Sequence, residues 1–187
     1  MRARQPGESA LLLLDVVEVL AGAGVPYAVV GAMAAAVHGA VRASLDADAV
    51  IGLPAHRLGE LVPACRAAGL AVELREGDAD DPIGAVLAVG DAFGNRVDLL
   101  AGLRGLDRGA FARAGEITFQ GATLRVIGRE DFIAMKAFAG SAQDLADAEA
   151  VLAANAGDVD RALLERLAGG FGPEAAAAVA GCLRRLA

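Results

Sequence analysis

Two aspartates interrupt an apolar run. In "AVVGAMAAAVHGAVRASLDADAVIGL" (residues 28–53), alanine, valine and glycine dominate until Asp46 and Asp48. An unpaired buried carboxylate is costly, so two of them opening a strand-like segment require a counter-charge. With one residue between them in extended chain, both project to the same face. A hard divalent cation such as Mg²⁺ takes oxygen ligands and suits such a pair. Asp98, alone in the apolar segment "RVDLL", can supply a third carboxylate from a neighbouring strand, or it is a strand-end acid partnered by Arg96. Gly31 stands where a short strand passes into a helix, and the free backbone N–H groups of a helix start favour a phosphate.

These residues need a scaffold, and the pattern supplies one. Ser9 is placed to cap a helix running to about Gly22. "YAVV" (27–30) reads as a strand, followed by a small-residue helix that Gly31 opens and Gly39 closes. "ADAVIGL" (47–53) is a second strand, and "AHRLGELVPACRAAG" a helix that Pro63 would kink. Strand candidates follow at "LAVELRE", "IGAVLAVGD" and "RVDLLAG", the last two joined by a turn at Phe93-Gly94-Asn95. A helical stretch around 104–114 precedes a hairpin turning at Gln120-Gly121. From Glu130 onward the pattern is helical, with Ser141 as an N-cap and further helices over 158–168 and 173–186. Strands in the first two-thirds followed by a helical tail imply an α/β (α+β) fold. The expected division is an α/β core over 1–128 and a helical region over 129–187 packed on it.

Composition removes whole classes of function. The net charge of −7 argues against an extended nucleic-acid surface, and with no Trp and one Tyr a base-stacking platform is also disfavoured. Arg104, Arg108 and Arg113 recur at near-helical spacing, as a local basic patch or a solvated helix face. Nothing reaches the roughly 18 apolar residues of a membrane span. "ALLLLDVVEVLAGAG" is broken by Asp15 and Glu18 and reads as an amphipathic helix, not a signal peptide. A cytoplasmic protein without membrane partners is expected. Cys65 and Cys182 lie far apart, outside any metal-ligand or disulfide pattern, and read as buried reduced thiols. Asp78, Asp80 and Asp81 read as a loop.

The combination of "VGA" (30–32), Asp46-Ala47-Asp48 and Asp98 resembles the nucleotidyltransferase fold superfamily of DNA polymerase β type. The family pattern there is a hydrophobic residue, Gly, Gly or Ser, a gap, Asp-x-Asp or Asp-x-Glu, and a later acid in an apolar strand. More narrowly, "YAVVGAMAAAVHGAVRASLDADAVI" is similar to small bacterial members related to AbiEii-type toxins, with His38, Gly39, Arg42 and Ser44 in register. "REDFIAMKAFAGSAQDLADAEAVL" is similar to their helical segment, with Lys136, Asp144 and Asp147 at its Lys and Asp-x-x-Asp positions. Ala32 departs from the pattern, because it has no hydroxyl to offer a phosphate, although its backbone N–H remains. Ser141 stands where many relatives carry a basic residue.

The resemblance implies a mixed sheet flanked by helices and Mg²⁺-dependent transfer of a nucleoside monophosphate from an NTP to an acceptor hydroxyl. Asp46, Asp48 and Asp98 would hold two Mg²⁺ ions, one of which can arrive with the NTP. Gly31, Ala32, Arg42, Ser44 and Lys136 would meet the nucleotide. The acceptor it implies is a partner protein, an RNA end or a small molecule, and a toxin–antitoxin role is a family association. Read structurally, His38 caps or packs, Arg42 and Lys136 are surface charges, and Asp144 and Asp147 cap and solvate their helix. A second functional reading is a degenerate member of the fold that binds nucleotide or protein without catalysis.

Overall fold

The computed structural model describes residues 1–185, which form two compact units. The first comprises residues 1–33, 43–104 and 116–126, and the second residues 34–42, 105–115 and 127–185. Two segments from the first 128 residues thus belong with the helical unit.

The first unit carries a seven-stranded mixed sheet: β1 (Tyr27–Val29), β2 (Asp46–Ile51), β3 (Ala71–Glu76), β4 (Ile83–Gly90), β5 (Arg96–Leu103), β6 (Gly115–Phe119) and β7 (Ala122–Val126), in the order β3-β4-β5-β2-β1-β7-β6. β2 and β5 run parallel, as do β1 and β7, while β1–β2, β3–β4 and β4–β5 are antiparallel. Burial alternates along β5: Val97, Leu99 and Ala101 are buried, and Arg96, Asp98 and Leu100 only partly. The buried positions need an apolar cover. Helix α1 (Ser9–Gly22) packs on β2 and β5 and buries Leu12, Leu13, Leu14, Val16 and Leu20. Each such side chain contributes about 1.5–3 kcal/mol when fully buried. The opposite face is left to the acids.

Local chemistry sets several boundaries. Gln120 and Gly121 have φ of 49° and 77°, the double positive-φ pattern of a type I′ hairpin turn between β6 and β7. The expected helix from residue 55 is a 3₁₀ segment (Ala55–Leu61), and Pro63 does not kink it but lies in the first turn of the following helix, α3 (Val62–Ala67). Pro63 has no N–H for the Gly59 carbonyl, which accepts from Val62 instead, an i→i−3 bond. Ser9 is not the cap of α1 either. Glu8 precedes the helix without a side-chain cap, and the Ser9 hydroxyl bonds elsewhere.

The second unit is helical: α4 (Ala110–Arg113), α5 (Arg129–Ala139), α6 (Ala142–Ala154), α7 (Arg161–Phe171) and α8 (Pro173–Arg185). Its core is formed by Phe132, Ile133, Val151, Leu152, Leu164, Leu167 and Val179. Ser141 caps α6 as expected, its Oγ accepting from Asp144 N–H at 3.1 Å. The stretch 104–114 shrinks to the four residues of α4, because Asp107 Oδ1 accepts from Gly109 N–H and holds a turn there. Arg113 pairs with Asp107 and Asp131, and Arg104 donates to the carbonyls of Ala79 and Asp81. The three arginines share no helix face. Cys65 and Cys182 are buried free thiols, and burial pushes both upward. Residues 186–187 lie outside the described residues, and with them the last position of the helix expected over 173–186. Among the described residues, no helix is long and apolar enough to cross a membrane.

Candidate active site

β2 and β5 are built from small and branched apolar residues that let two strands pair in parallel over six rungs, from Asp46 opposite Arg96 to Ile51 opposite Ala101. The register places Asp48 directly opposite Asp98. Neighbouring strands lie about 4.8 Å apart, so two carboxylates face one another across a single rung. Asp46 lies two residues before Asp48 and therefore on the same face. The three acids of the sequence motif thus come from two adjacent strands of one unit.

Gly31 explains how Asp48 is accommodated. It opens helix α2 (Gly31–Val37) with φ of 62°. A β-carbon there would overlap Asp48 Oδ2, so the missing side chain makes room for that carboxylate. The Asp48 carbonyl also accepts from Val30 N–H at 2.9 Å, tying the two segments at the backbone. Two requirements, left-handed backbone and close approach, fall on one residue, and only glycine meets both.

A cation is already present. Arg96 binds Asp98 in a forked pair, Nε to Oδ1 at 2.7 Å and Nη2 to Oδ2 at 3.1 Å. That bond raises the Arg96 pKa above its ordinary value, and the charges of Asp98 and Asp46 act in the same direction. Asp46 is exposed and Asp98 partly so. The donor set, carboxylate oxygens on one sheet face, suits a hard divalent ion. It is not drawn together around one: among the described residues, no three acidic, histidine or cysteine side chains are grouped to hold a metal ion. Arg96 supplies a physical reason, since it engages both oxygens of the third carboxylate.

The other expected site residues divide between the units. Ser44, in the first, donates from Oγ to the Asp46 carbonyl at 3.0 Å and shapes the entry to β2. Ala32 is buried in the first turn of α2. Arg42 and Lys136 belong to the second unit, where both meet Asp147. Arg42 Nε lies 3.1 Å from Asp147 Oδ2, and Lys136 Nζ lies 3.0 Å from the same oxygen and 2.7 Å from Asp144 Oδ1. Asp147 is only 4% exposed, which corrects the expectation of a solvated helix acid. Burial pushes its carboxyl up, but bonds from Lys136 and Gln143 and the charges of Lys136 and Arg42 outweigh this and hold it below the usual carboxylate range. Arg42 and Lys136 are partners of this buried acid, not surface charges. His38 packs as expected: its Nε2 bonds the Ile127 carbonyl at 2.8 Å and its ring lies 6.0 Å from that of Phe132.

Two features of the first unit carry no local motif. A cavity of about 450 Å³ opens beside Asp98, lined by Arg75, Glu76, Asp81, Ile83, Val86 and Leu100. Ser9, 4% exposed, bonds the entries of both acid-bearing strands.

No family model matches the chain, and no curated protein sequence matches it. Solved structures do. The solution structure of the antibiotic-resistance factor ANT(2'')-Ia aligns with a TM-score of 0.58 at 15% identity, covering 86% of this chain and 89% of that one. The crystal structure of ANT(2'')-Ia in complex with adenylyl-2''-tobramycin gives 0.58 at 16%, covering 86% and 94%. An antigenic nucleotidyltransferase-like protein from Paracoccidioides brasiliensis gives 0.52 at 13%, covering 95% of both chains. The fold is that of the nucleotidyltransferases. At these identities the likeness is one of architecture, and the seven-stranded mixed sheet with its flanking helices agrees with what the motif resemblance implied.

Proposed function

We propose that this nucleotidyltransferase-fold chain is a Mg²⁺-dependent enzyme that moves a nucleoside monophosphate from an NTP to an acceptor hydroxyl. The observation that carries the reading is the rung pairing Asp48 with Asp98, with Asp46 on the same face and Gly31 cleared of side chain beside Asp48. In the reaction the acceptor oxygen bonds to the α-phosphorus, the bond to the bridging oxygen breaks, and pyrophosphate leaves with its electron pair. Asp46 and Asp48 would hold two Mg²⁺ ions, which when bound would neutralise triphosphate charge and lower the pKa of the acceptor hydroxyl. Asp98, released from Arg96, would join them nearest the attacking hydroxyl and take up its proton directly or through water. Positioning and charge stabilisation account for most of such catalysis.

A small-molecule acceptor is favoured over an RNA end. The cavity beside Asp98 falls within the size range of small-molecule pockets, the net charge is −7, and the ANT(2'')-Ia neighbour is described with an adenylylated small molecule. The likeness of residues 27–51 and 129–152 to AbiEii-related proteins supports a different acceptor, a hydroxyl side chain of a partner protein in a toxin–antitoxin pair. A non-catalytic nucleotide-binding module is the second reading, favoured by Ala32 and by the Arg96 fork on Asp98.

The test is calorimetric titration of each of the four NTPs, with and without Mg²⁺, into wild type and an Asp46→Asn/Asp48→Asn double variant. Mg²⁺-dependent binding of one NTP that disappears in the double variant is the expected outcome. If no NTP binds, the transferase reading falls. Binding without turnover over a panel of hydroxyl acceptors would favour the module.

A further inference from the structure

Ser9 occupies an unusual place in the sheet. Its Oγ donates to the Leu45 carbonyl at 2.5 Å and accepts from the Arg96 N–H at 3.1 Å. Leu45 immediately precedes Asp46, and Arg96 is the residue opposite Asp46 in the parallel register. Continued by one rung, a parallel ladder would join that N–H directly to that carbonyl. The hydroxyl is inserted into the rung. A direct backbone bond spans about 2.9 Å, whereas here two hydrogen bonds in series separate the same two groups. The hydroxyl therefore ties the entry of β2 to that of β5 just before their first shared rung, Asp46 opposite Arg96, and close to the rung that pairs Asp48 with Asp98.

The wedge is fixed in place. Ser9 is the first residue of α1, whose buried leucines hold it against the sheet. The preceding chain is clamped by Asn95, which is 3% exposed: its Oδ1 accepts from Glu8 N–H at 2.7 Å and its Nδ2 donates to the Gln5 carbonyl at 2.9 Å. Asn95 in turn borders Arg96. Both neighbours of the inserted hydroxyl are thereby held, so its size sets the gap.

We propose that Ser9 is a positioning residue for the aspartate site: its hydroxyl, wedged between the Leu45 carbonyl and the Arg96 N–H, sets the spacing of the β2 and β5 entries from which Asp46 and Asp98 would close on divalent cations once Arg96 releases Asp98. This rests on the nucleotidyltransferase reading. In Ser9→Ala the wedge is gone and the two backbone groups close toward a direct bond, drawing the acids out of their spacing. Ser9→Thr keeps the hydroxyl.

The test measures Mn²⁺ binding by electron paramagnetic resonance without nucleotide, and the Mg²⁺ concentration giving half-maximal NTP binding. Indirect positioning of metal ligands typically changes metal affinity 10–100-fold, so Ser9→Ala is expected to weaken Mn²⁺ binding about tenfold or more, with Ser9→Thr returning most of it. Leu164→Ala, a core truncation in the helical unit, controls for lost stability and is expected to keep wild-type Mn²⁺ affinity. Wild-type affinity in Ser9→Ala, equal losses in the Ala and Thr variants, or the same loss in Leu164→Ala would overturn the proposal while leaving the transferase reading intact. Absence of Mn²⁺ binding to the wild type would overturn both. Should Ser9→Ala not fold, Ser9→Cys, which keeps the volume and weakens the hydrogen bonds, is read against the same outcomes.

Discussion

Acids are handled in opposite ways in the two units. In the helical unit Asp131 and Asp147 are 2% and 4% exposed, and each is met by fixed partners. Arg113 forks onto Asp131 at 2.7 and 2.8 Å, and Asp147 receives Lys136, Arg42 and Gln143. In the sheet unit Asp46 is exposed, Asp48 and Asp98 are partly exposed, and all three lie on one face with Arg96 as the cation on Asp98. Buried acids compensated from within their own unit are part of the fold. Acids gathered on an accessible face can accept a cation from outside.

That difference can be broken by substitution. Removing one partner of a buried ion pair leaves the other uncompensated, which costs about 3–5 kcal/mol. Asp131→Ala is expected to destabilise the chain toward the lower end of this range, because Arg113 keeps Asp107. Asp46→Asn is expected to leave stability within about 0.5 kcal/mol while abolishing Mg²⁺-dependent NTP binding. Urea unfolding of both variants, alongside calorimetry, measures the contrast. An Asp46 variant as unstable as the Asp131 variant would mean that the sheet acids too are structural.

The contrast was only half legible in the sequence. Asp46-x-Asp48 displays its shared face through the two-residue period of a strand, and the Gln120-Gly121 and Ser141 signals act within a few residues, so these features could be read locally. Asp147 looked like any helix acid because one of its partners, Arg42, lies 105 residues away. Ser9 was misleading for the same reason. Ser at a helix start normally caps it, but here the hydroxyl is taken by backbone groups 36 and 87 residues distant. Arg96 was visible beside Asp98, though not that it would take both carboxylate oxygens. Chain-local geometry fixes elements and faces, whereas long-range burial decides which polar groups find one another.

Gly31 sharpens the comparison within the sheet unit. Gly24 has nearly the same backbone, φ of 66° against 62°, but open space where a β-carbon would lie. Gly24→Ala therefore meets only the strain of a left-handed residue, about 1 kcal/mol. Gly31→Ala adds overlap with the Asp48 carboxylate and is expected to cost about 2 kcal/mol or more, with Asp48 displaced and NTP binding weakened. Thermal unfolding of the two alanine variants isolates the overlap. Equal losses would mean that Asp48 can move aside freely, which would remove the reason for treating its position as set.

The smallest expected effect belongs to the helical unit and tests whether its polar groups are structural throughout. Burial lowers the His38 pKa below its ordinary value near 6.5; the bond to the Ile127 carbonyl opposes the shift, Arg129 reinforces it and Glu130 opposes it. The unfolded chain then binds the proton more readily than the folded one, so stability rises with pH through this window. The contribution is complete above about pH 6.5 and is lost progressively as pH falls from there toward the folded value. The carboxyls held low, Asp144 and Asp147, act in the same direction but only at more acidic pH, below the ordinary carboxylate value. Urea midpoints measured from pH 8 downward should therefore decline in two stages, and the upper one should vanish in His38→Gln. If the upper stage persists in that variant, His38 is not its source.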